Sequence, residues 1–472
     1  MRILLLIDAG GMCMKKIVSV VLAAAVVSSL VLLSGCQSSK SAEIQTYTVD
    51  KSTLKIGILS DLQLAPEGGS DVYDQSFQSA LEFFKSQNVD MLINVGDYTD
   101  VGNEESYKNY KRIYDSVYGG EDIISSYILG NHDYWLQNFV DCWEIPFKGK
   151  MRSRFEKYTV NDNPWTHKVV NGFHFIAVSP DKGGMDDSAY SDKTLEWAKE
   201  QIELAIEQSP DKPVFVLTHH PPKGSLIMSQ TDGCENLDKL FSQYEQVVSI
   251  SGHTHAPLID ETSIVQDNYT AINTQCVSYI CYAGCDLTQD DGSFIEDNPM
   301  VMILELSDSQ AVFHRYSALT GEEQKEPWVL SLPLSKDSFA YNYDTRKSQS
   351  TAPVWESGFD CSIGTVEGEE GTKLDEITFT AAQHPDAVAY YDIQLVDGAG
   401  NPVSFKINEE ETKDTLRVGS DYILPAENRS STVNVIFPAE YTKDLSGEYT
   451  LQVTPLDCYE NAGETVSATV TF

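Results

Sequence analysis

The chain has 472 residues, which is enough for two or three domains with ample hydrophobic cores. Its 71 acidic residues outnumber its 33 basic residues, and the net charge at pH 7 is −38. Such a chain repels nucleic acids, because binding to them depends on Lys and Arg side chains that neutralise phosphates. We therefore expect no nucleic-acid binding and a preference for small ligands.

The amino terminus combines a charged start, an apolar segment and a cysteine motif. Met14-Lys15-Lys16 precedes an almost wholly apolar or small segment, residues 17–33, and Leu33-Ser34-Gly35-Cys36 ends it. This resembles a bacterial lipoprotein signal peptide with its lipobox, which implies cleavage before Cys36 and a lipid on that cysteine. The alternative is a transmembrane anchor, although about 17 residues is short for a membrane-spanning helix. Both place the remaining chain in the cell envelope, outside the cytoplasm. Met14 is a better candidate than Met1 for the initiator methionine. Residues 37–52 are predicted to be a flexible tether.

Five short polar motifs each follow a run of apolar residues. A Val- and Ile-rich run that ends in Gly or a polar cluster predicts a buried strand. Ligands in such sheets gather beyond the carboxyl ends of the strands, so we expect all five motifs to meet at one edge. The motifs are Asp61-Leu62-Gln63, Gly96-Asp97, Gly130-Asn131-His132-Asp133, His219-His220-Pro221 and Gly252-His253-Thr254-His255.

The carboxylate, amide and imidazole groups of these motifs predict a metal centre. Gathered without enough basic partners, they would be costly to bury unless divalent cations compensated them. Each motif alone is also typical of an ordinary turn or helix cap, because Gly and Asn tolerate left-handed backbone. Their ordered combination is far more specific, since it contains five of the nine histidines of the chain.

In order and residue type the motifs resemble the calcineurin-like metallophosphoesterase superfamily, over roughly residues 53–320. The resemblance implies a two-sheet α/β sandwich that holds two metal ions. It also assigns the His next to the scissile phosphate, His132, as a catalytic residue outside the metal shell, with Asp133 as its orienting partner. The implied metal ligands are Asp61, Gln63 and His255 for the first ion, Asn131, His219 and His253 for the second, and Asp97 as the bridge between them.

Gln63 departs from the pattern, because most members of the superfamily carry His at this position. A neutral amide oxygen is a harder and weaker ligand than imidazole, which favours Mn or Mg over Zn at the first position. Manganese is the expected metal, with iron, zinc and magnesium as alternatives. Some branches that resemble manganese-dependent pyrophosphatases also carry Asp-x-Gln, so the change does not indicate an inactive enzyme.

The implied chemistry is hydrolysis of small phosphate monoesters, diesters or nucleotide-like pyrophosphates. Two cations about 3.5–4 Å apart can hold a shared hydroxide and clamp the phosphate oxygens during in-line displacement. The chain carries no Gly-x-Ser-x-Gly elbow and no P-loop that would indicate another hydrolytic mechanism. A catalytically weak, metal-dependent binding lipoprotein is the alternative function. The presence of His132 favours the enzyme, because a binding protein has no use for it.

Periodicity predicts the elements around these motifs. Leu195, Ala198, Ile202 and Ala205 recur at helical spacing behind the cap Ser191, which predicts a helix over 192–207. We expect strands at 173–178, 262–274, 300–306 and 311–316. The metallophosphoesterase domain is then predicted to span residues 53–333, followed by a polar, Ser-rich linker over 334–353.

Residues 354–472 show short alternating runs, such as AVAYYDIQLVD and TVNVIF, between turns rich in Gly, Asn and Asp. This pattern predicts an all-β sandwich domain, similar to fibronectin type III or immunoglobulin domains. The domain could bind a cell-wall or host polymer or serve as a spacer, and the spacer is the simpler interpretation. Cys361 and Cys458 could form a disulfide, but spacing alone does not decide this.

Overall fold

The computed structural model describes residues 44–135, 148–159, 163–281, 284–287, 294–295, 298–356, 358–368, 372–407, 411–424 and 426–472. The predicted signal peptide with Cys36 lies outside these residues. Among the described residues, no helix is both long and apolar enough to cross a membrane. Cys361 and Cys458 carry free thiols.

Helices and strands alternate through the first part of the chain. The helices are α1 (Asp71–Ser86), α2 (Glu104–Tyr118), α3 (Lys148–Tyr158), α4 (Asp192–Gln208), α5 (Ser229–Asp232), α6 (Glu235–Phe241), α7 (Tyr343–Gln349) and α8 (Ala439–Thr442). The strands up to residue 331 are β1 (Gln45–Tyr47), β2 (Leu54–Leu59), β3 (Met91–Asn94), β4 (Ile124–Tyr127), β5 (Trp165–Val170), β6 (Phe173–Val178), β7 (Val214–Thr218), β8 (Val247–Ser251), β9 (Ile264–Gln266), β10 (Thr270–Asn273), β11 (Ile280–Cys281), β12 (Phe294–Ile295), β13 (Met300–Leu306), β14 (Gln310–Ser317) and β15 (Glu323–Ser331).

Two sheets form the body of this first domain. One has the strand order β15-β14-β13-β2-β3-β4, in which β2, β3 and β4 are parallel. The other has the order β1-β5-β6-β7-β8-β10-β9, in which β6, β7 and β8 are parallel. The carboxyl ends of these parallel strands carry all five motifs, and this confirms the predicted two-sheet α/β sandwich.

The core between the two sheets is built from apolar strand residues such as Ile56, Ile93, Phe215 and Ile250, all fully buried. Helices cover the outer faces, since α1 and α2 pack on one sheet and α4 on the other. These helices start at capping side chains. Ser191 accepts a hydrogen bond from the backbone N–H of Thr194, as predicted for α4.

Three of the four predicted strands correspond to single strands, at 173–178, 300–306 and 310–317. The fourth prediction, a strand over 262–274, was wrong. This segment starts in the short 3-10 helix Glu261–Ser263 and continues as the hairpin of β9 and β10. Asp267 and Asn268 occupy the turn, and residues of this type break a strand because they favour turn conformations.

Residues from 361 onward form the predicted all-β domain, which has no helix longer than α8 among its described residues. Its strands are β16 (Cys361–Glu367), β17 (Lys373–Thr380), β18 (Tyr390–Val396), β19 (Phe405–Lys406), β20 (Thr412–Lys413), β21 (Leu416–Gly419), β22 (Thr432–Ile436), β23 (Glu448–Leu456) and β24 (Val466–Thr471). They form two antiparallel sheets of order β16-β17-β22 and β21-β18-β23-β24, and the hairpin β19-β20. Assignment to a fibronectin type III or immunoglobulin type stays a prediction.

The two predicted connecting segments contain ordered elements. The segment 37–52 contributes β1, which pairs with β5 of the first domain. The segment 334–353 contains α7, where Arg346 forms an ion pair with Glu261. The β domain also shares a hydrophobic core with the first domain, because Tyr390 and Tyr422 pack in the same cluster as Leu258. Residues Ala42–Phe472 are therefore one compact unit.

Candidate metal centre

The loops after β2, β3, β4, β7 and β8 meet at one edge of the sandwich, as the strand order requires. Backbone hydrogen bonds join them directly: Asp61 N–H donates to Gly96 O at 3.0 Å, and Gly252 N–H donates to His219 O at 3.0 Å. All seven predicted ligands come together here. Their side chains are buried, with residue exposures from 0 % to 9 %.

Three of these residues, Asp61, Asp97 and His219, place one potential ligand atom each within 4.8 Å of one another. The Nε2 atom of His219 lies 3.4 Å from Asp97 Oδ2. Two buried carboxylates therefore share one pocket with an imidazole, which is the composition of a cation site.

The second predicted position is outlined by Asn131, His219 and His253. Asn131 Oδ1 lies 2.7 Å from His219 Nε2 and 3.0 Å from His253 Nδ1. Ligand atoms on adjacent positions of one metal ion with bonds near 2.1 Å are separated by about 3 Å, so this spacing suits a shared ion.

The orientation of the His219 and His255 rings also suits metal binding. His219 Nδ1 lies 2.9 Å from the carbonyl of Val95, and His255 Nδ1 lies 3.0 Å from that of Tyr279. A carbonyl only accepts, so each Nδ1 carries a proton and each Nε2 is directed toward the cluster. His219 Nε2 faces the oxygen of Asn131. Either a proton on Nε2 or a metal ion that replaces this proton satisfies the Asn131 oxygen.

The first predicted position is formed by Asp61, Gln63 and His255. His255 Nε2 lies 3.3 Å from Asp61 Oδ1, and Gln63 Nε2–H donates to Asp97 Oδ2 at 2.9 Å. The other amide atom, Gln63 Oε1, is buried and has no hydrogen-bond partner among the described residues. A buried oxygen without a partner is costly, and a cation at this position would compensate it. The residues present therefore fit the two ions that the family resemblance implies.

The carboxylates and imidazoles of the cluster shift one another's pKa values. Burial disfavours protonation of His219, but Asp97 beside it outweighs this effect and raises the pKa of His219 to about 9. Burial likewise opposes ionisation of Asp97, yet His219 and His132 lower its pKa below the ordinary value. Divalent cations and protons would therefore compete for the same donors, so we expect metal binding to weaken in acid.

Five of the seven predicted ligands have left-handed backbone, which non-glycine residues rarely adopt. Each such residue costs about 1 kcal/mol or more, and residues of this kind cluster at functional sites. The positive φ reverses the chain at once after the strand and turns the side chain into the centre. The five residues and their φ angles are Asp61 (53°), Gln63 (48°), Asp97 (54°), His253 (69°) and His255 (52°).

Two glycines allow the motifs to approach one another. A Cβ atom on Gly130 would lie 2.0 Å from Asp97 Oδ1, and one on Gly252 would lie 2.3 Å from Asp61 Oδ2. Both distances are far shorter than any van der Waals contact. Gly130 and Gly252 must therefore be glycines, because any side chain at these positions would clash with the carboxylates of Asp97 and Asp61.

His132 lies beside the cluster and is more exposed, with 17 % of its side chain accessible. Its backbone N–H donates to Asp97 Oδ1 at 2.9 Å, while its Nε2 is 4.0 Å from Asp97 Oδ2. The ring packs on Trp135 at 3.8 Å between centroids. This is the position expected for a residue that contacts a bound substrate without binding a metal.

The partner that orients His132 is not Asp133, contrary to the sequence-based expectation. His132 Nδ1 lies 2.7 Å from the backbone carbonyl of Asp100. Asp133 is buried and uses its carboxylate to accept backbone N–H groups of Tyr98, Thr99 and Gly130. It therefore shapes the loop that carries the motif. Burial, followed by the charge of Asp97, raises the pKa of Asp133 to about 7.

His220, the neighbour of His219, holds a loop. Its Nε2 lies 2.8 Å from the carbonyl of Gly184, and its ring packs on His253 at 4.2 Å. Burial and the neighbouring His219 lower the pKa of His220 to about 3. The loop that it holds carries Met185, whose sulfur lies 3.2 Å from Asn131 Nδ2. Sequence reasoning did not find Met185 or Asp100, because neither belongs to a motif.

Residues 54–257 match the family model of the calcineurin-like phosphoesterases. This part of the chain is a calcineurin-like phosphoesterase domain. The match covers all five motifs, and the metal dependence of the family agrees with the grouping of Asp61, Asp97 and His219.

Two curated relatives share part of this phosphoesterase domain. A probable glycerophosphodiester phosphodiesterase of Arcobacter nitrofigilis is 28% identical over 175 residues, which cover 35% of this chain and 56% of the relative. A probable cyclic nucleotide phosphodiesterase of Rhodococcus erythropolis is 29% identical over 138 residues, which cover 28% of this chain and 39% of the relative. The chain thus spans about half or less of the length of these relatives.

Among solved structures, a predicted phosphoesterase of Streptococcus pneumoniae aligns with 60% of this chain and 99% of its own length. The sequences are 11% identical and the TM-score is 0.27.

Proposed function

We propose that the protein is a phosphodiesterase that uses two divalent metal ions, with manganese as the preferred metal. The observation that carries the proposal is the cluster of seven buried residues whose potential metal-ligand atoms lie close together, with Asn131 Oδ1 and His219 Nε2 2.7 Å apart. The first ion would be held by Asp61, Gln63 and His255, and the second by Asn131, His219 and His253. Asp97 would bridge them.

Divalent ions bound there would polarise the phosphate and lower the pKa of a water molecule that attacks it. The chain itself supplies orientation and a proton. The N–H of His132 and the amide of Gln63 each donate to a different oxygen of Asp97, and so fix the bridging carboxylate. In its protonated form His132 would donate Nδ1–H to Asp100 O and give its Nε2 proton to the leaving oxygen, which returns the ring to its neutral form.

The charge around the centre favours diesters over monoesters as substrates. A diester carries one negative charge at neutral pH and a monoester close to two. Among the described residues, no Lys or Arg forms an ion pair with Asp61 or Asp97, whose partners are histidines. The relatives from Arcobacter nitrofigilis and Rhodococcus erythropolis are both named as probable phosphodiesterases.

A matched pair of chromogenic substrates tests this proposal. Metal-depleted protein is assayed with Mn²⁺ on bis(p-nitrophenyl) phosphate and on p-nitrophenyl phosphate. We expect turnover that depends on Mn²⁺ and is faster on the diester. Faster turnover of the monoester would refute the diester preference. Mn²⁺ binding with no hydrolysis of either ester would instead support the alternative, a binding lipoprotein.

We also propose that the protein is exported and anchored to the bacterial membrane by a lipid on Cys36. The support is the order of Lys15 and Lys16, the apolar segment 17–33 and the Leu-Ser-Gly-Cys motif. Labelled fatty acid should be incorporated into the wild-type chain and not into Cys36→Ser. Equal labelling of both chains would refute the anchor.

A further inference from the structure

Three groups of polar contacts between the C-terminal β domain and the first domain lie close in sequence or by hydrogen bond to one proposed metal ligand, His255. The first of these contacts involves Asp260, five residues after His255 in the chain. Tyr422 O–H donates to Asp260 Oδ2 at 2.8 Å, and the two residues are 2 % and 1 % exposed. Asp260 also caps the short 3-10 helix that follows, by accepting the N–H of Thr262 at 2.7 Å. The segment after His255 is thus held by a residue of the β domain.

A second contact reaches the same segment through two amide side chains. Asn298 Nδ2–H donates to the carbonyl of Ile423 at 2.8 Å, and the carbonyl of Asn298 accepts Gln275 Nε2–H at 2.8 Å. Gln275 Oε1 in turn accepts the N–H of Leu258 at 2.6 Å. Gln275 is buried and has a φ of 55°, so its strained backbone depends on these partners. This chain of hydrogen bonds ends three residues after His255.

A third contact consists of backbone hydrogen bonds between residues 286–287 and strand β21 of the β domain. Asp286 N–H and Leu287 N–H donate to the carbonyl of Arg417, and Gly419 N–H donates to the carbonyl of Leu287. Lys413 pairs with the Asp286 carboxylate at 2.6 Å. Asp286 lies five residues beyond Cys281, whose backbone N–H donates to the carbonyl of His255 at 3.0 Å.

These contacts approach His255 from both sides, and none of them involves the loops after β4 or β7 that carry Asn131 and His219. Among the described residues, these hydrogen bonds join the β domain to the segments around His255. We propose that the β domain positions His255, and through it the first metal ion, with Tyr422 as the principal positioning residue. This inference rests on the proposed function, since it requires that His255 binds a metal.

Positioning of His255 by the β domain would compensate for the weak donor Gln63 at the first metal position. An amide oxygen binds a divalent cation less strongly than an imidazole does. A preorganised His255 offsets part of this weakness, because a ligand that is already in place loses less conformational entropy on binding. A β domain that served only as a spacer would have no such effect.

The test is Tyr422→Phe in the full-length chain, titrated with Mn²⁺ and followed by calorimetry and by Mn²⁺ electron paramagnetic resonance. Loss of one buried hydrogen bond should raise the dissociation constant of the weaker of two Mn²⁺ ions by about three- to tenfold. The tighter ion should be unaffected, and kcat at saturating Mn²⁺ should stay within about twofold of wild type.

The matched control is Tyr391→Phe, which removes an equally buried hydroxyl that accepts the N–H of Ala382 inside the β domain. It should lower thermal stability without changing either Mn²⁺ affinity. Equal weakening of both ions by Tyr422→Phe, or the same shift in the control, would overturn the positioning role. If Tyr422→Phe fails to fold, Asn298→Ala replaces it and should also weaken one ion only. Wild-type protein that binds no Mn²⁺ would instead contradict the proposed function.

Discussion

Gln63 donates its amide N–H to Asp97 Oδ2 at 2.9 Å, so the residue that departs from the family pattern contacts the proposed bridge between the two metal positions. In the part of the chain that the structure describes, the amide oxygen of Gln63 has no hydrogen-bond partner. The Gln63 side chain therefore lies between the Asp97 carboxylate and the first metal position. Its donor strength should decide which metal binds there.

We expect Gln63→His to tighten the first position and to shift metal preference toward Zn or Fe, because imidazole is a softer and stronger donor than an amide. Activation curves with Mn²⁺, Zn²⁺ and Fe²⁺, measured on metal-depleted protein, give the preference. Gln78→His, on the exposed surface of α1, is the control and should leave all three curves unchanged. Curves for Gln63→His that match wild type would contradict the assignment of Gln63 as a ligand.

Asp97→Ala should abolish turnover and remove both ions, because its carboxylate belongs to two coordination spheres at once. Metal content after dialysis and hydrolysis of bis(p-nitrophenyl) phosphate measure the two effects. Asp115→Ala removes an exposed carboxylate that pairs with Lys111 on α2, and should retain both ions and full activity. Two ions still bound in Asp97→Ala would rule out the bridging role.

His132→Ala should keep both metals and lose about 10²- to 10⁴-fold in rate, the usual scale of general acid catalysis. The loss should grow with the pKa of the leaving group, since alkyl leaving groups need a proton more than nitrophenolate does. A series of aryl and alkyl diesters measures this dependence. A loss that is constant over the series would assign His132 to phosphate positioning, and loss of metal would make it a structural residue.

A buried pair of histidines outside the metal centre should make stability depend on pH. His167 Nε2 lies 2.8 Å from His174 Nδ1, and burial, followed by the charges of His167 and Lys212, lowers the pKa of His174 from 6.5 to about 4. Between these two values the unfolded chain binds a proton that the folded chain does not. The stability that the neutral pair provides is therefore complete above about pH 7 and is lost as the pH falls toward 4.

Urea denaturation between pH 4 and pH 7 measures this effect. We expect His174→Gln to show a shallower decrease in unfolding free energy with falling pH than wild type. The histidines of the metal centre are present in both proteins, so the difference between the two curves reports on His174. Parallel curves for the two proteins would contradict the prediction.

The sequence by itself determined the strands that carry the motifs and the edge of the sandwich at which the motifs meet. The apolar runs before Asp61, Asp97 and Asn131 are local patterns, and their burial follows from composition alone. Parallel strands then force the residues that follow them to one edge of the sheet. In the same way, the spacing of its apolar residues and the capping residue Ser191 predicted helix α4.

Only the tertiary structure decided which groups support that cluster. Asp100 orients His132 through a backbone carbonyl, which every residue possesses and no sequence motif can mark. Tyr422 and Asp260 are 162 residues apart in the sequence, so their hydrogen bond depends on how the two domains pack. Local periodicity reports which face of an element is buried, whereas contacts between distant segments depend on the complete packing arrangement.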